Sequence, residues 1–153
     1  MQLGKQYDCL LQFLPKVGEY VPTGAVIIAV HGGDGPPDDT VCSCVHLGRS
    51  RTMYQDPLYG IRQLVDVASQ ALSPAVNQPT TAVIVIDRLE ELLLRIARRP
   101  QPTGYFVDTD GVVRLMHPEP TWAETVDLAF TEIAIYGASS PAVIRRLAAA
   151  YDR

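Results

Sequence analysis

No run in this 153-residue chain is apolar for long enough to cross a bilayer. The longest, AVIIAV and AVIVI, fall far short of the roughly 20 residues that a spanning helix needs. The N-terminus, MQLGKQYDCL, lacks the basic stretch followed by an apolar one that marks a secretory signal. Lysine is scarce, Lys5 and Lys16 being the only two. Lys and Arg together number 13 against 17 Asp and Glu, a net charge of −4 with no basic stripe, so no nucleic-acid partner is expected. The three cysteines, Cys9, Cys42 and Cys44, make no disulfide framework, and their C-x-C spacing is not that of a zinc site. The nucleophile elbow G-x-S-x-G, the H-E-x-x-H motif, the P-loop and the dinucleotide fingerprint are all missing. No metal and no cofactor is expected. What remains is 47% hydrophobic and 20% charged, the composition of a globular chain with a core of its own.

The local patterns predict an α+β fold in two regions forming one compact unit. Residues 1–49 read as β-rich: YDCLLQFL and GAVIIAVHG are strand-like, and VCSCVHL alternates enough for a third strand. That strand would put Cys42 and Cys44 on one face as small apolar filler. Between the strands, HGGDGPPDDT reads as an acidic surface loop leading into the third strand, unsuited to phosphate. Residues 50–153 read as mainly helical. Asp56 is placed to cap a helix that opens at Pro57 and runs to Leu72. After SPAVNQP, with Asn77 as the expected cap, a second helix runs to about Arg98 and is apolar over more than half its girth. A β-hairpin is expected over 104–117 with its turn at Asp108–Gly111. Thr121 to Glu124 is a capping box for a helix ending at Tyr136, and Ser140 with Pro141 opens a last one.

The densest polar stretch is GRSRTMYQDPLYGIRQLVD. Arg51, Gln55, Asp56, Tyr59, Arg62 and Asp66, with Asn77 at the following corner, are the candidate ligand-binding residues. Guanidinium, amide and carboxylate groups in such density suit a small anionic or polar ligand. They equally suit a hydrogen-bond network that fixes a helix pair. Arg62 and Asp66, four apart on a helix, can pair. Asp87, between apolar neighbours, would need Arg62 or Arg88 as partner. A closer expectation is that Arg51, Gln55, Asp56 and Asn77 converge, so that two helix N-termini and a guanidinium form an anion site. No catalytic residue is assigned.

Two resemblances attach to these residues. The segment KVGEYVPTGAVIIAV resembles the G-x-x-V-x-x-G half of biotinyl-lipoyl-like sandwiches, but no lysine stands at a hairpin tip to carry a cofactor. The segment RTMYQDPLYGIRQLVDVASQALSPAVNQPTTAVIVIDRLEELL resembles the signature of the domain-of-unknown-function 2254 family of predicted membrane proteins. Arg51, Thr52, Gln55, Asp56, Tyr59, Gly60, Leu64 and Asp66 match it, as do Ser73, Pro74, Asn77, Pro79, Thr81 and Ala82. Gln70 and Gln78 depart from it, standing where the signature has Arg and Asp. The resemblance implies a soluble domain separated from transmembrane helices, and the unpaired cysteines point to the cytoplasmic side. The expected role is that of a noncatalytic ligand-sensing or assembly domain of an integral membrane protein. Its expected partners are further copies of itself, the missing transmembrane segment and a small anionic ligand. The alternative is a hydrolase or transferase using carboxylates of the Arg51–Asp87 region, such as Asp56, Asp66 or Asp87.

Overall fold

The computed structural model describes residues 1–153 and shows an α+β chain with two strands near its start, two more within residues 105–116, and all of its long helices after residue 56. Its contacts divide it into two units. One comprises residues 1–51 and 102–120, the other 52–101 and 121–153.

The first unit is built on one mixed sheet. Its elements are α1 (Gln2–Gln6), β1 (Leu10–Phe13), β2 (Ile28–His31), α2 (Asp38–Ser43), β3 (Tyr105–Val107) and β4 (Val113–Met116). The strand order is β2-β1-β4-β3. β1 runs antiparallel to β2, with Leu11 opposite Val30 and Phe13 opposite Ile28. β4 joins β1 in parallel, with Leu115 opposite Leu11, and β3 closes the other edge antiparallel to β4. The hairpin expected inside the helical region therefore extends the N-terminal sheet, because only there does β4 find a partner for its second backbone edge. Gly18 and Gly24, which carry the lipoyl-like turn pattern, both take positive φ, +87° and +84°, yet the strands around them form a single sheet. Gly104 at the hairpin base has φ +72°, and a Cβ there would lie 2.2 Å from the His117 carbonyl oxygen.

VCSCVHL is not a strand. Thr40 and Val41 donate backbone hydrogen bonds to the Pro37 carbonyl, and Asp38 and Asp39 occupy the first turn of α2, where carboxylates favour a helix start. The acidic loop thus leads into a short helix. Cys42 and Cys44 are exposed rather than packed in a sheet, and only Cys9 is buried. The turn of the hairpin is fixed by charge. Arg114 donates to Asp108 at 2.9 Å and to Asp8 at 2.8 Å, and the Asp108 carboxylate also accepts from the backbone of Asp110 and Val112. The Arg114 hydrogen bond holds the Asp108 carboxyl at about 2, below its ordinary 3.8.

The second unit consists of α3 (Pro57–Ala71), α4 (Pro79–Ala97), α5 (Trp122–Tyr136) and α6 (Pro141–Tyr151). Asp56 caps α3 as its sequence requires, its carboxylate accepting from the Tyr59 N–H at 3.2 Å. Thr121 and Glu124 close the capping box of α5 in both directions. Ser140 precedes Pro141 at the start of α6, without a side-chain cap bond. α4 is the central helix, touching α3, α5 and α6. Val65, Ala68, Ala82, Ile86, Leu89, Ala129, Ile133 and Val143 make a core with no exposed surface, each large side chain contributing about 1.5–3 kcal/mol by leaving water. No helix is long and apolar enough to cross a membrane.

Candidate functional site

Asp56 and Asn77, at the two ends of α3, do not converge. Arg51 is exposed and closes the first unit, while the other six candidates belong to the second. Asp56 stands before the start of α3 and Asn77 beyond its end. A helix of 15 residues is about 22 Å long, so these two cannot share a ligand. The expected pairing of two helix N-termini fails for that reason. Gln55 is exposed, and Asp56, only 5% exposed, is occupied in capping α3. Tyr59 is half-buried and supplies the capped N–H.

Asn77 does not cap α4. The cap position is held by Gln78, whose side chain makes no capping bond. Asn77 instead adopts φ +48°, the left-handed conformation that turns SPAVNQP back on itself. The turn is closed by the Asn77 N–H on the Ser73 carbonyl at 2.9 Å and the Gln78 N–H on the Ala71 carbonyl at 2.7 Å. Asn tolerates this region better than other residues with a Cβ, which explains its place between two prolines. Asn77→Gly is expected to be at least as stable as the parent, and Asn77→Ala to lose about 1 kcal/mol. Urea midpoints of the two variants check this, and equal losses would show that the side chain, not the backbone, matters.

Arg62 and Asp66 do pair, and the pair belongs to a helix-bridging network. The Arg62 Nε donates to Asp66 at 2.7 Å, and its Nη1 donates across to Glu132 of α5 at 2.5 Å. These bonds raise the Arg62 pKa, the one to Glu132 most, and the same bond draws the Glu132 carboxyl down. The network joins α3 to α5, not α3 to the helix that follows it in sequence.

A second network escaped the sequence reading. Arg146 of α6 donates to Asp87 at 2.5 Å and to Glu90, both on α4, and Arg153 reaches Glu90 at 3.1 Å. Asp87 therefore pairs with a helix 59 residues on rather than with Arg62 or Arg88. Glu90 is the buried member, its side chain 7% exposed. Its signal was present: Ala82, Ile86, Leu89 and Leu93 trace the core stripe of α4, and Glu90 falls beside that stripe. A carboxylate there requires a cation. The hydrogen bond to Glu90 raises the Arg146 pKa more than that to Asp87.

No three His, Cys, Asp or Glu side chains lie grouped so as to hold a metal ion. Chemically, the helical unit offers carboxylates neutralised by arginine across helix contacts, with Asp56, Asp66 and Asp87 in three different places. That arrangement stiffens a bundle and does not bring Asp56, Asp66 and Asp87 together.

The whole chain, residues 1–153, matches the model of a family described as predicted membrane protein, domain of unknown function 2254 (DUF2254). Uncharacterized proteins of Mycobacterium tuberculosis and Mycobacterium bovis are each 33% identical to it over 138 residues, a span that is 86% of this chain and 26% of theirs. The chain thus spans about a quarter of the length of these relatives. No solved structure matches it.

Proposed function

The chain belongs to the DUF2254 family of predicted membrane proteins, and we propose that it is a noncatalytic extramembrane domain through which such a protein assembles or senses a ligand. One observation carries this reading. The carboxylates that acid–base chemistry would need are dispersed: Asp56 on a helix N-terminus, Asp66 on Arg62, Asp87 on Arg146. A hydrolase or transferase using them would have to give up the cap of α3, the Arg62–Asp66 pair within α3 or the Arg146–Asp87 pair between α6 and α4. Assembly into a homo-oligomer fits the apolar side chains left exposed on the helices, among them Ile84, Ile135 and Ile144.

Two measurements test the reading together. Light scattering of the 153-residue chain at micromolar concentration is expected to give a dimer or larger species, and a strict monomer would remove the assembly reading. Nitrophenyl esters and phosphates are expected to show no turnover above buffer. Turnover that disappears in Asp66→Asn or Asp87→Asn would establish carboxylate catalysis in its place.

A further inference from the structure

The first unit holds a groove of about 640 Å³. Its floor is one face of the sheet, formed by Leu11 and Phe13 of β1, Ile28 of β2 and Leu115 of β4. The register accounts for this, since Leu11 stands opposite Leu115 and Phe13 opposite Ile28, and residues two apart on a strand share a face. α1 contributes one wall, and Val41 and Val45, in and just past α2, contribute another. No carboxylate lines the groove. Its one charged side chain is Lys5, carried on α1 with Gln2 and Gln6.

We infer that this groove binds a single-chain amphiphile, its acyl tail on the sheet face and its anionic head at Lys5. The volume lies in the range of about 300–1,000 Å³ found for small-molecule pockets, and an apolar lining with a few polar groups is their usual chemistry. The tail meets no polar group on the floor that would have to lose water without a partner. The positive charge available to the head is that of Lys5. Lys5 rests on Asp110 at 2.8 Å and on Thr109 at 2.9 Å, but the pair is well exposed, 48% and 63%, and such pairs contribute little. A carboxylate or phosphate seated beside Lys5 can take Asp110's place at small cost. The inference concerns the first unit alone and holds whether or not the helical unit assembles.

Calorimetric titration of the 153-residue chain tests it, with palmitate and a monoacyl glycerophosphate as anionic probes and hexadecanol as the neutral one. At least one anionic probe is expected to bind saturably at one site per chain, and which of the two binds tighter distinguishes a free acid from a lipid headgroup. Ile28→Trp, which fills the groove, is expected to weaken binding at least tenfold. Lys5→Ala is expected to weaken the anionic probes severalfold and leave hexadecanol unchanged. Absence of saturable binding by both anionic probes, or unchanged binding in a folded Ile28→Trp variant, overturns the inference. Should that variant not fold, photolabelling of the parent chain with a diazirine-bearing palmitate decides: adducts on the floor residues Leu11, Phe13, Ile28 or Leu115 or within residues 1–6 and 41–45 uphold the site, and adducts elsewhere overturn it.

Discussion

Arg146→Ala is expected to destabilise the helical unit by about 3 kcal/mol, the low end of the range for breaking a buried ion pair. The loss comes less from the attraction removed than from the charge left behind. Glu90 sits on the core side of α4 with its side chain 7% exposed, and Arg146 is its main counter-ion across the α4–α6 contact. Arg153 also reaches Glu90, but from a largely exposed position, and keeps the cost from rising further. Asp87, half-exposed on the same helix, can turn to water and adds little. Removing both charges should undo most of the damage, because a pair of apolar side chains of similar size leaves nothing unpaired. Arg146→Met combined with Glu90→Leu is therefore expected to regain at least half of the lost stability in urea denaturation. If the single variant unfolds at the parent midpoint, Glu90 is solvated and the network is ornamental.

The helical half of this fold is legible in the sequence because its signals are local. Asp56 with Pro57, Thr121 with Glu124, and Ser140 with Pro141 each mark a helix start within a few residues, and α3, α5 and α6 begin where those marks stand. The sheet is less legible because its pairing is not local. Nothing within Tyr105–Met116 says that β4 will lie beside β1, a hundred residues earlier, and a hairpin signal looks the same whether or not it joins a larger sheet. VCSCVHL misleads because its alternation is strand-like, while the features that make α2, Pro37 and two aspartates, lie just upstream in what reads as loop.

The polar motif shows the same division. Arg62 and Asp66 pair as their spacing dictates, yet the partner that gives the pair its purpose, Glu132, is 70 residues away and comes to it only through the packing of α3 on α5. Convergence of Asp56 with Asn77 was an expectation about helix directions, and the length of α3 excludes it. Density of polar residues along a sequence is thus no measure of their density in space. Here a run of 16 positions from Arg51 to Asp66 serves as a helix cap and an interhelical ion pair.

Gly137→Ala is expected to cost about 1–3 kcal/mol, the price of overpacking. Its backbone is not the reason, since φ is −88° and any residue adopts it. The reason is space. A Cβ on Gly137 would lie 2.4 Å from Cγ1 of Val143 and 2.8 Å from the carbonyl oxygen of Ile133. Val143 is fully buried at the α6 side of the core, so it cannot step aside without disturbing the helices around it. The Ile133 carbonyl is equally fixed, accepting the Gly137 N–H at 2.8 Å at the end of α5. The glycine is therefore what lets α6 turn back tightly after α5 through a corner held by the Ser140 N–H on the Gly137 carbonyl. A double variant separates this steric account from a general weakening of the corner. Val143→Ala alone opens a cavity and costs stability of its own, but in its presence the alanine at 137 gains room. The two substitutions together should cost clearly less than their sum, by more than the 0.3–0.5 kcal/mol within which independent sites add. Strict additivity in urea denaturation would mean that the methyl group of Gly137→Ala does not meet Val143, and that the close corner between α5 and α6 is maintained by something other than the missing side chain.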